Sequence, residues 1–278
     1  MKSKKWLVGI LFLIGLGLLM YPVISGILAS MQEEKVIAVY ENNLDKYTEE
    51  EVEKELALAK EYNASISGEH IKDPFIQDSG MVLPDNYSQI LDFNGVMGSI
   101  EIPKIKVNLP IYHGTSEEVL EKGAGHLLQS SFPVGGDGTH SVISGHRGLP
   151  KAKLFTDLVD LEEGDIFYIH ILNDVLKYEV DRIETVEPYE TENLLPVPGE
   201  DYVTLVTCTP YGVNSHRLLV RGTRVPYDVE HTQTIDNSRS IRAAVWWPYI
   251  AAAAALVILG ILIFFGRRRS KGNGRKKR

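Results

Sequence analysis

One cysteine, Cys208, is the only thiol in 278 residues, so no disulfide can close within the chain. No cluster of His, Cys and carboxylate residues has metal-ligand spacing. No glycine-rich loop is built to cradle phosphate, and no G-x-S-x-G elbow presents a serine. No cofactor and no metal is therefore expected. Acids are missing from both ends: residues 1–5 carry three lysines and residues 267–278 carry eight Lys/Arg, with no Asp or Glu in either stretch. Setting those eleven aside from twenty-nine basic residues leaves eighteen against thirty-seven acids, so the middle of the chain stands near −19. Such a surface repels nucleic acid, whose phosphates need a basic patch. There is no internal repeat, and no low-complexity segment apart from the basic tail.

Charge is also missing from two long runs. Trp6 to Gln32 holds none, and neither do the twenty-three residues from Ala243 to Phe265. At roughly 1.5 Å of helical rise per residue, either run can cross a bilayer core of about 30 Å. Trp246, Trp247 and Tyr249 sit at one end of the second run as an interfacial belt, and Arg267-Arg268-Arg269 closes the other. The positive-inside rule puts both termini in the cytoplasm and the acidic middle outside. The first run reads as a membrane anchor or a signal segment. The anchor is favoured, because Leu28-Ala29-Ser30 offers no clean small-x-small cleavage site.

The organisation expected between the runs follows from composition. Residues 1–32 are the anchor or signal segment, and 33–94 a helical segment followed by a loop. Residues 95–227 form a β domain, 228–242 a linker, 243–265 the second span and 266–278 the cytoplasmic tail. Two helices are expected over 33–63, the second opening on a Thr48/Glu51 capping box. Gly68, Pro74, Gly80, Pro84, Asn86 and Gly95 punctuate the loop, which contains Asp73-Pro74-Phe75. Beyond it, seven short strands are read at 96–102, 106–112, 141–144, 165–172, 175–183, 202–207 and 217–225. Asn173-Asp174 is read as a hairpin turn, and short helices are read at 116–122 and 152–161. Many short strands with turns between them argue for a mainly β fold, closed or nearly closed into a barrel.

Cys208 ends one of these strands, after Tyr202-Val203-Thr204-Leu205-Val206-Thr207, and Pro210, Gly212 and Asn214 make the turn that follows. Arg217 opens the return strand. Most lone cysteines are small buried hydrophobes. A cysteine nucleophile, by contrast, needs a histidine for proton transfer and a donor for the oxyanion. His146 stands in Ser144-Gly145-His146-Arg147-Gly148, where a strand breaks into a glycine-flanked loop. His113, His126, His140, His170 and His216 read as ordinary core or surface histidines.

The block T-L-V-T-C-T-P-Y-G-V-N-S-H-R-L-L-V-R-G closely resembles the active-site segment of sortases, the cell-surface transpeptidases of Gram-positive bacteria, and in particular class C, the pilus-assembling group. V-I-S-G-H-R-G-L-P, G-S-I-E-I-P-K-I and L-P-I-Y-H-G-T-S match other segments of the family, and the dense resemblance covers residues 95–227. The resemblance implies an eight-stranded sortase β-barrel with short helices, an N-terminal helical segment and a lid, flanked here by two transmembrane helices. It implies Cys208 as nucleophile, His146 as general acid/base, Arg217 as substrate and oxyanion stabiliser, and Asp73, Pro74 and Phe75 as the lid tripeptide. It implies a Leu-Pro-x-Thr-Gly-like sorting signal cut between Thr and Gly through a thioester, with a lysine amine of another pilin as acceptor. The partners so implied are pilin or surface-protein substrates and the membrane. Housekeeping anchoring to cell wall and a non-catalytic surface scaffold stand as alternatives.

Overall fold

The computed structural model describes residues 2–66, 71–75 and 86–227. The expected C-terminal span, the linker before it and the basic tail lie outside these residues, as do parts of the 64–94 loop.

The chain opens on one uninterrupted helix, α1 (Lys2–Leu44), which carries Pro22 inside it. The stretch Gly9–Leu44 includes a window long and apolar enough to cross a membrane. Along it Phe12, Leu18 and Leu19 stand exposed, as side chains facing lipid would. No break separates the apolar run from the first helix that follows it. Apolar side chains and the amphipathic 33–44 turns share good helix propensity, and no breaker lies between them. A turn then leads to α2 (Glu49–Ser65), which starts as read: Glu51 N donates to Thr48 Oγ1 and Thr48 N donates back to Glu51 Oε2, at 3.3 and 2.8 Å.

Both helices are fastened to the β domain by polar contacts, one from a buried and one from a half-buried side chain. Tyr40 Oη donates to Met97 O at 3.1 Å and accepts from Leu172 N at 2.9 Å. Asn63 exchanges two hydrogen bonds with the backbone of Phe132, at 3.1 and 2.7 Å. Tyr40→Phe should therefore destabilise the full chain by about 1–3 kcal/mol, since it leaves the Leu172 N–H buried without an acceptor. Urea unfolding of the detergent-solubilised protein reads this directly. A shift no larger than that of an exposed Tyr47→Phe control would refute it.

Eight strands close into a barrel in the order β1-β2-β3-β4-β7-β8-β6-β5. They are β1 (Gly98–Ile102), β2 (Val107–His113), β3 (Ala124–His126), β4 (Thr139–Ser144), β5 (Ile166–Ile171), β6 (Asp174–Val186), β7 (Asp201–Thr209) and β8 (His216–Val225). β2–β3 and β4–β7 are parallel pairs, and the other neighbours are antiparallel. Side chains alternate between the two faces, as strand geometry requires. Ile143, Val203, Leu205, Leu218 and Val220 enter the main core, whereas Val142, Val206 and Leu219 point to a second apolar cluster. That second cluster also takes Leu127, Leu194 and Ile71.

Three local expectations need correction. The strand β3 went unread, because Ala-Gly-His carries no strand propensity and only its neighbours hold it. The turn between β5 and β6 falls on Leu172-Asn173 rather than Asn173-Asp174: Ile171 pairs with Asp174, and Leu172 takes a left-handed φ of 50°. The helix expected over 152–161 is only the 3-10 turn Leu158–Asp160, preceded by Leu154 at a φ of 42°, which no helix accepts. The other short helix, α3 (Glu117–Leu120), starts where expected, with the Ser116 hydroxyl accepting from Val119 N at 3.4 Å.

Candidate active site

Cys208 and Arg217 are register partners across the antiparallel β7–β8 pair. Two rungs back, and so on the same face, Val206 pairs with Leu219 in the second apolar cluster, so all four side chains stand on the outer face of the barrel. Cys208 is 8% exposed and Arg217 is 9% exposed. Neither is inside the main core. Something covers them.

The cover is the short segment Ile71–Phe75. Asp73, itself 5% exposed, accepts from Arg217 Nε and Nη2 through its two oxygens, at 2.8 and 2.6 Å. This is the two-pronged geometry that a planar guanidinium and a carboxylate favour. Arg217 Nη1 donates on to Asn214 O and His216 O, at 3.0 and 3.1 Å, so four of its five N–H groups are engaged. Phe75 lies against both remaining groups: its ring centroid is 5.1 Å from the guanidinium carbon and 5.9 Å from the His146 ring centroid. Phe75 N also donates to Asp73 Oδ1 at 3.3 Å, and Pro74 sits buried between them. Two residues upstream, Ile71 enters the apolar cluster over the Val206–Leu219 rung, and its carbonyl accepts from Thr191 Oγ1 at 3.0 Å. The odd-numbered residues 71, 73 and 75 thus all make contacts on this face, as an extended segment allows.

His146 comes from the loop that leaves β4, and that loop is tied to the cysteine strand. Thr207 Oγ1 donates to Gly145 O at 2.7 Å, and Gly145 N donates to Val206 O at 3.0 Å. Arg147 Nη1 donates to Thr209 Oγ1 at 3.0 Å. Gly148 adopts a φ of +86°, which favours glycine, and the Tyr211 ring lies close over it: a Cβ there would stand 2.7 Å from the ring. The His146 Nε2 atom is buried and makes no hydrogen bond, but it lies 3.3 Å from Glu117 Oε2.

The electrostatics of the thiol follow from this packing. Burial pushes the Cys208 pKa up, Arg217 pulls it down, and Asp73 pushes it up again, with a net rise. The thiol under the closed cover is therefore held protonated. Two other histidines are taken out of contention by burial: His126 is pushed down to about 3 and His140 to about 4. They serve as hydrogen-bonded core groups, His126 to Tyr87 and Ser131, His140 to Leu195 and Thr204. Among the described residues no group of three or more His, Cys, Asp or Glu could hold a metal ion.

All six residues named from the sequence meet at this one place on the barrel. Ile71, Thr191 and Glu117 went unnamed. Nothing in their local sequence marks them, since a lone Ile in a loop and a pair of acids on a short helix are commonplace.

Residues 100–225 match the model of the sortase domain. Sortase C-1 of Streptococcus pneumoniae superposes with a TM-score of 0.66 at 45% identity, covering 70% of this chain and 100% of that one. The chain belongs to the sortase family. The pilus-related sortase C of Group B Streptococcus gives a TM-score of 0.64 at 45% identity, covering 68% of this chain and 96% of its own. These likenesses place the chain with the class C sortases. Sortase A of Bacillus anthracis is 32% identical over 132 residues, which is 48% of this chain. This chain spans 61% of that curated relative's length and 63% of the Bacillus subtilis sortase D's. The eight-stranded barrel is the fold that the sequence resemblance implied.

Proposed function

We propose that this sortase is a membrane-anchored cysteine transpeptidase of pilus assembly. Once the cover has lifted, the Cys208 thiol passes its proton to His146 and attacks, as the thiolate, the threonine carbonyl of a Leu-Pro-x-Thr-Gly-like sorting signal. Its sulfur forms a bond to that carbon while the carbonyl oxygen takes the negative charge, and Arg217 stabilises that charge. As the Thr–Gly C–N bond breaks, His146 gives its proton to the leaving glycine amine. A thioester remains. The neutral amine of a lysine on another pilin then attacks the same carbon, its proton passes to His146, and the Cys208 thiolate leaves. The product is an isopeptide bond; the thiolate takes its proton back from His146, and the enzyme returns to its starting state.

The observation that carries this reading is the lone thiol placed directly across a strand pair from a guanidinium. The class assignment adds a second support. Identity to the sortase C structures, 45%, exceeds the 32% to the Bacillus anthracis sortase A, which favours pilin joining over cell-wall anchoring. For the segment Ile71–Phe75 the same reading assigns the role of a lid, which must leave before a sorting signal can reach Cys208. Residues 95–227 are the catalytic barrel, 33–94 the helical segment and lid, 1–32 the first anchor, and 243–265 the second span after the linker 228–242. The catalytic barrel then faces the cell exterior, with both termini, including the tail 266–278, in the cytoplasm.

The direct test uses the detergent-solubilised full chain with a sorting-signal peptide and a lysine-bearing acceptor peptide. Mass spectrometry should find a Cys208 thioester and then an acceptor peptide joined through its lysine Nζ. Joining only to a peptidoglycan-like amine would favour wall anchoring, and hydrolysis alone would refute transfer. Topology has its own test. Protease added to intact protoplasts should digest residues between the two spans and spare a C-terminal epitope. An epitope cleaved from outside would overturn the two-span arrangement.

A further inference from the structure

The acidic side chains of α3 do not behave alike. Glu118 pairs with Lys122 at 2.6 Å, and Glu121, which follows the helix, pairs with Lys151 at 2.9 Å. Glu117 has neither cation. Its carboxylate instead stands 3.3 Å from His146 Nε2, a buried nitrogen with no hydrogen bond of its own. An unpaired buried ring nitrogen is unfavourable, and the Glu117 carboxylate is an acceptor that the structure places within reach of it.

The approach of α3 to the histidine loop is built into the chain. A Cβ on Gly125 of β3 would lie 2.3 Å from Gly114 O and 3.0 Å from Leu120 Cδ2, so glycine there lets the helix lie flat on the sheet. Gly125 pairs with Ser144, and two residues after Ser144 comes His146. The Lys151–Glu121 pair ties α3 to the far side of the same loop. Helix, strand and loop therefore set the Glu117–His146 approach together.

We infer that Glu117 is the positioning carboxylate of His146, holding the ring by accepting a proton-bearing Nε2 and so reserving Nδ1 for proton exchange during acyl transfer. The inference rests on His146 being the general acid/base proposed above. With Nε2 buried against α3, Nδ1 is the remaining nitrogen that can pass a proton to a leaving amine or take one from an entering amine. A base oriented by a third group is the usual logic of nucleophile activation. Catalytic hydrogen bonds are often long in the unliganded enzyme and tighten when substrate binds. Here the gap of 3.3 Å is seen with Phe75 resting on the imidazole ring. The other charged groups around the imidazole are Arg147 beside it in the loop and the Asp73–Arg217 pair beneath Phe75, with Cys208 as the reacting group.

The test compares Glu117→Ala, Glu117→Asp and a Glu118→Ala control in the full-length enzyme, using the sorting-signal and lysine-acceptor peptides. Glu117→Ala should lower kcat about 10-fold with KM unchanged, below the ~10²–10⁴ of losing the acid/base itself because the carboxylate is half exposed. Glu117→Asp should recover part of the loss, and Glu118→Ala should match wild type. Nitrogen-15 NMR of histidine-labelled protein, with His146 assigned through a His146→Asn sample, should show the neutral ring carrying its proton on Nε2. That preference should weaken in Glu117→Ala. A Glu117→Ala enzyme with wild-type kcat overturns the inference, and so does a rise in KM alone, which would make Glu117 a substrate contact. A ring proton found on Nδ1 in the wild type also overturns it. If His146→Ala itself retained activity, the proposed mechanism would fail instead, so the two failures are told apart.

Discussion

Cys208→Ala is expected to abolish the thioester and reduce transpeptidation to background, because no other thiol exists in the chain to take its place. The informative companion is Arg217. Its guanidinium is the cation directly opposite the thiol, and it is held by carbonyls of Asn214 and His216 as well as by Asp73. Those carbonyls fix the plane of the fork whether or not the cover is in place. In the proposed reaction the two nitrogens that now face Asp73 become free to donate to a developing oxyanion. Arg217→Ala should therefore cost about 10²–10³-fold in kcat, the scale for losing one preorganised oxyanion donor. Arg217→Lys should fall between, since an ammonium is a point charge that cannot hold two carbonyls and an oxyanion in one plane. His146→Ala should cost at least about 10²-fold. These are measured as single-turnover thioester formation, which separates chemistry from acceptor binding. Transpeptidation retained by Cys208→Ala above background would end the mechanism. Wild-type rates for Arg217→Lys would remove Arg217 from the oxyanion role while leaving the nucleophile intact.

The sequence made the strands of the site legible because their side chains are β-branched or aliphatic and are bounded by turn residues. β7 carries Val203, Thr204, Val206 and Thr207 before Cys208, and β4 carries Val142 and Ile143 before the glycine that frees His146. What stayed hidden was whatever depends on elements far apart in the chain. β3 is three residues long and is a strand only because β2 and β4 flank it. The tether from Thr191 to Ile71 joins residues 120 apart, and the Glu117–His146 approach depends on a glycine in β3. The helix misread over 152–161 has a local cause as well. Its apolar spacing suits a helix, but Leu154 is drawn into the main core at 1% exposure, and that burial holds its backbone in a left-handed turn.

Asp73→Ala with Phe75→Ala is expected to raise the rate at which a small thiol reagent modifies Cys208 by at least about 10-fold. The closed cover buries an Arg217–Asp73 pair whose side chains are 10% and 1% exposed. Removing one partner of such a pair leaves an uncompensated buried charge, at a cost of about 3–5 kcal/mol. The barrel need not bear that cost, since Ile71–Phe75 can lift and let water reach Arg217. The destabilisation therefore falls on the closed state of the segment, and the population moves to the open one. A few kcal/mol is ample, because each ~1.4 kcal/mol shifts such an equilibrium tenfold. The ionisation of the thiol moves in the same direction. Burial raises the Cys208 pKa, Arg217 lowers it, and Asp73 raises it. Opening removes much of the first contribution and all of the third, and leaves the guanidinium unshared, so the thiol becomes more acidic. Only thiolate reacts, so the rate climbs as pH rises through the thiol pKa, and that climb should begin at lower pH in the double variant than in wild type. Access alone would scale the whole profile upward without moving its limb, whereas loss of the charge and the cover moves the limb as well. Single variants divide the effect: Phe75→Ala should mainly raise access, and Asp73→Ala should raise access and shift the limb. Equal alkylation rates and coincident pH profiles for wild type and double variant, with both shown to be folded, would mean that Ile71–Phe75 does not guard the thiol.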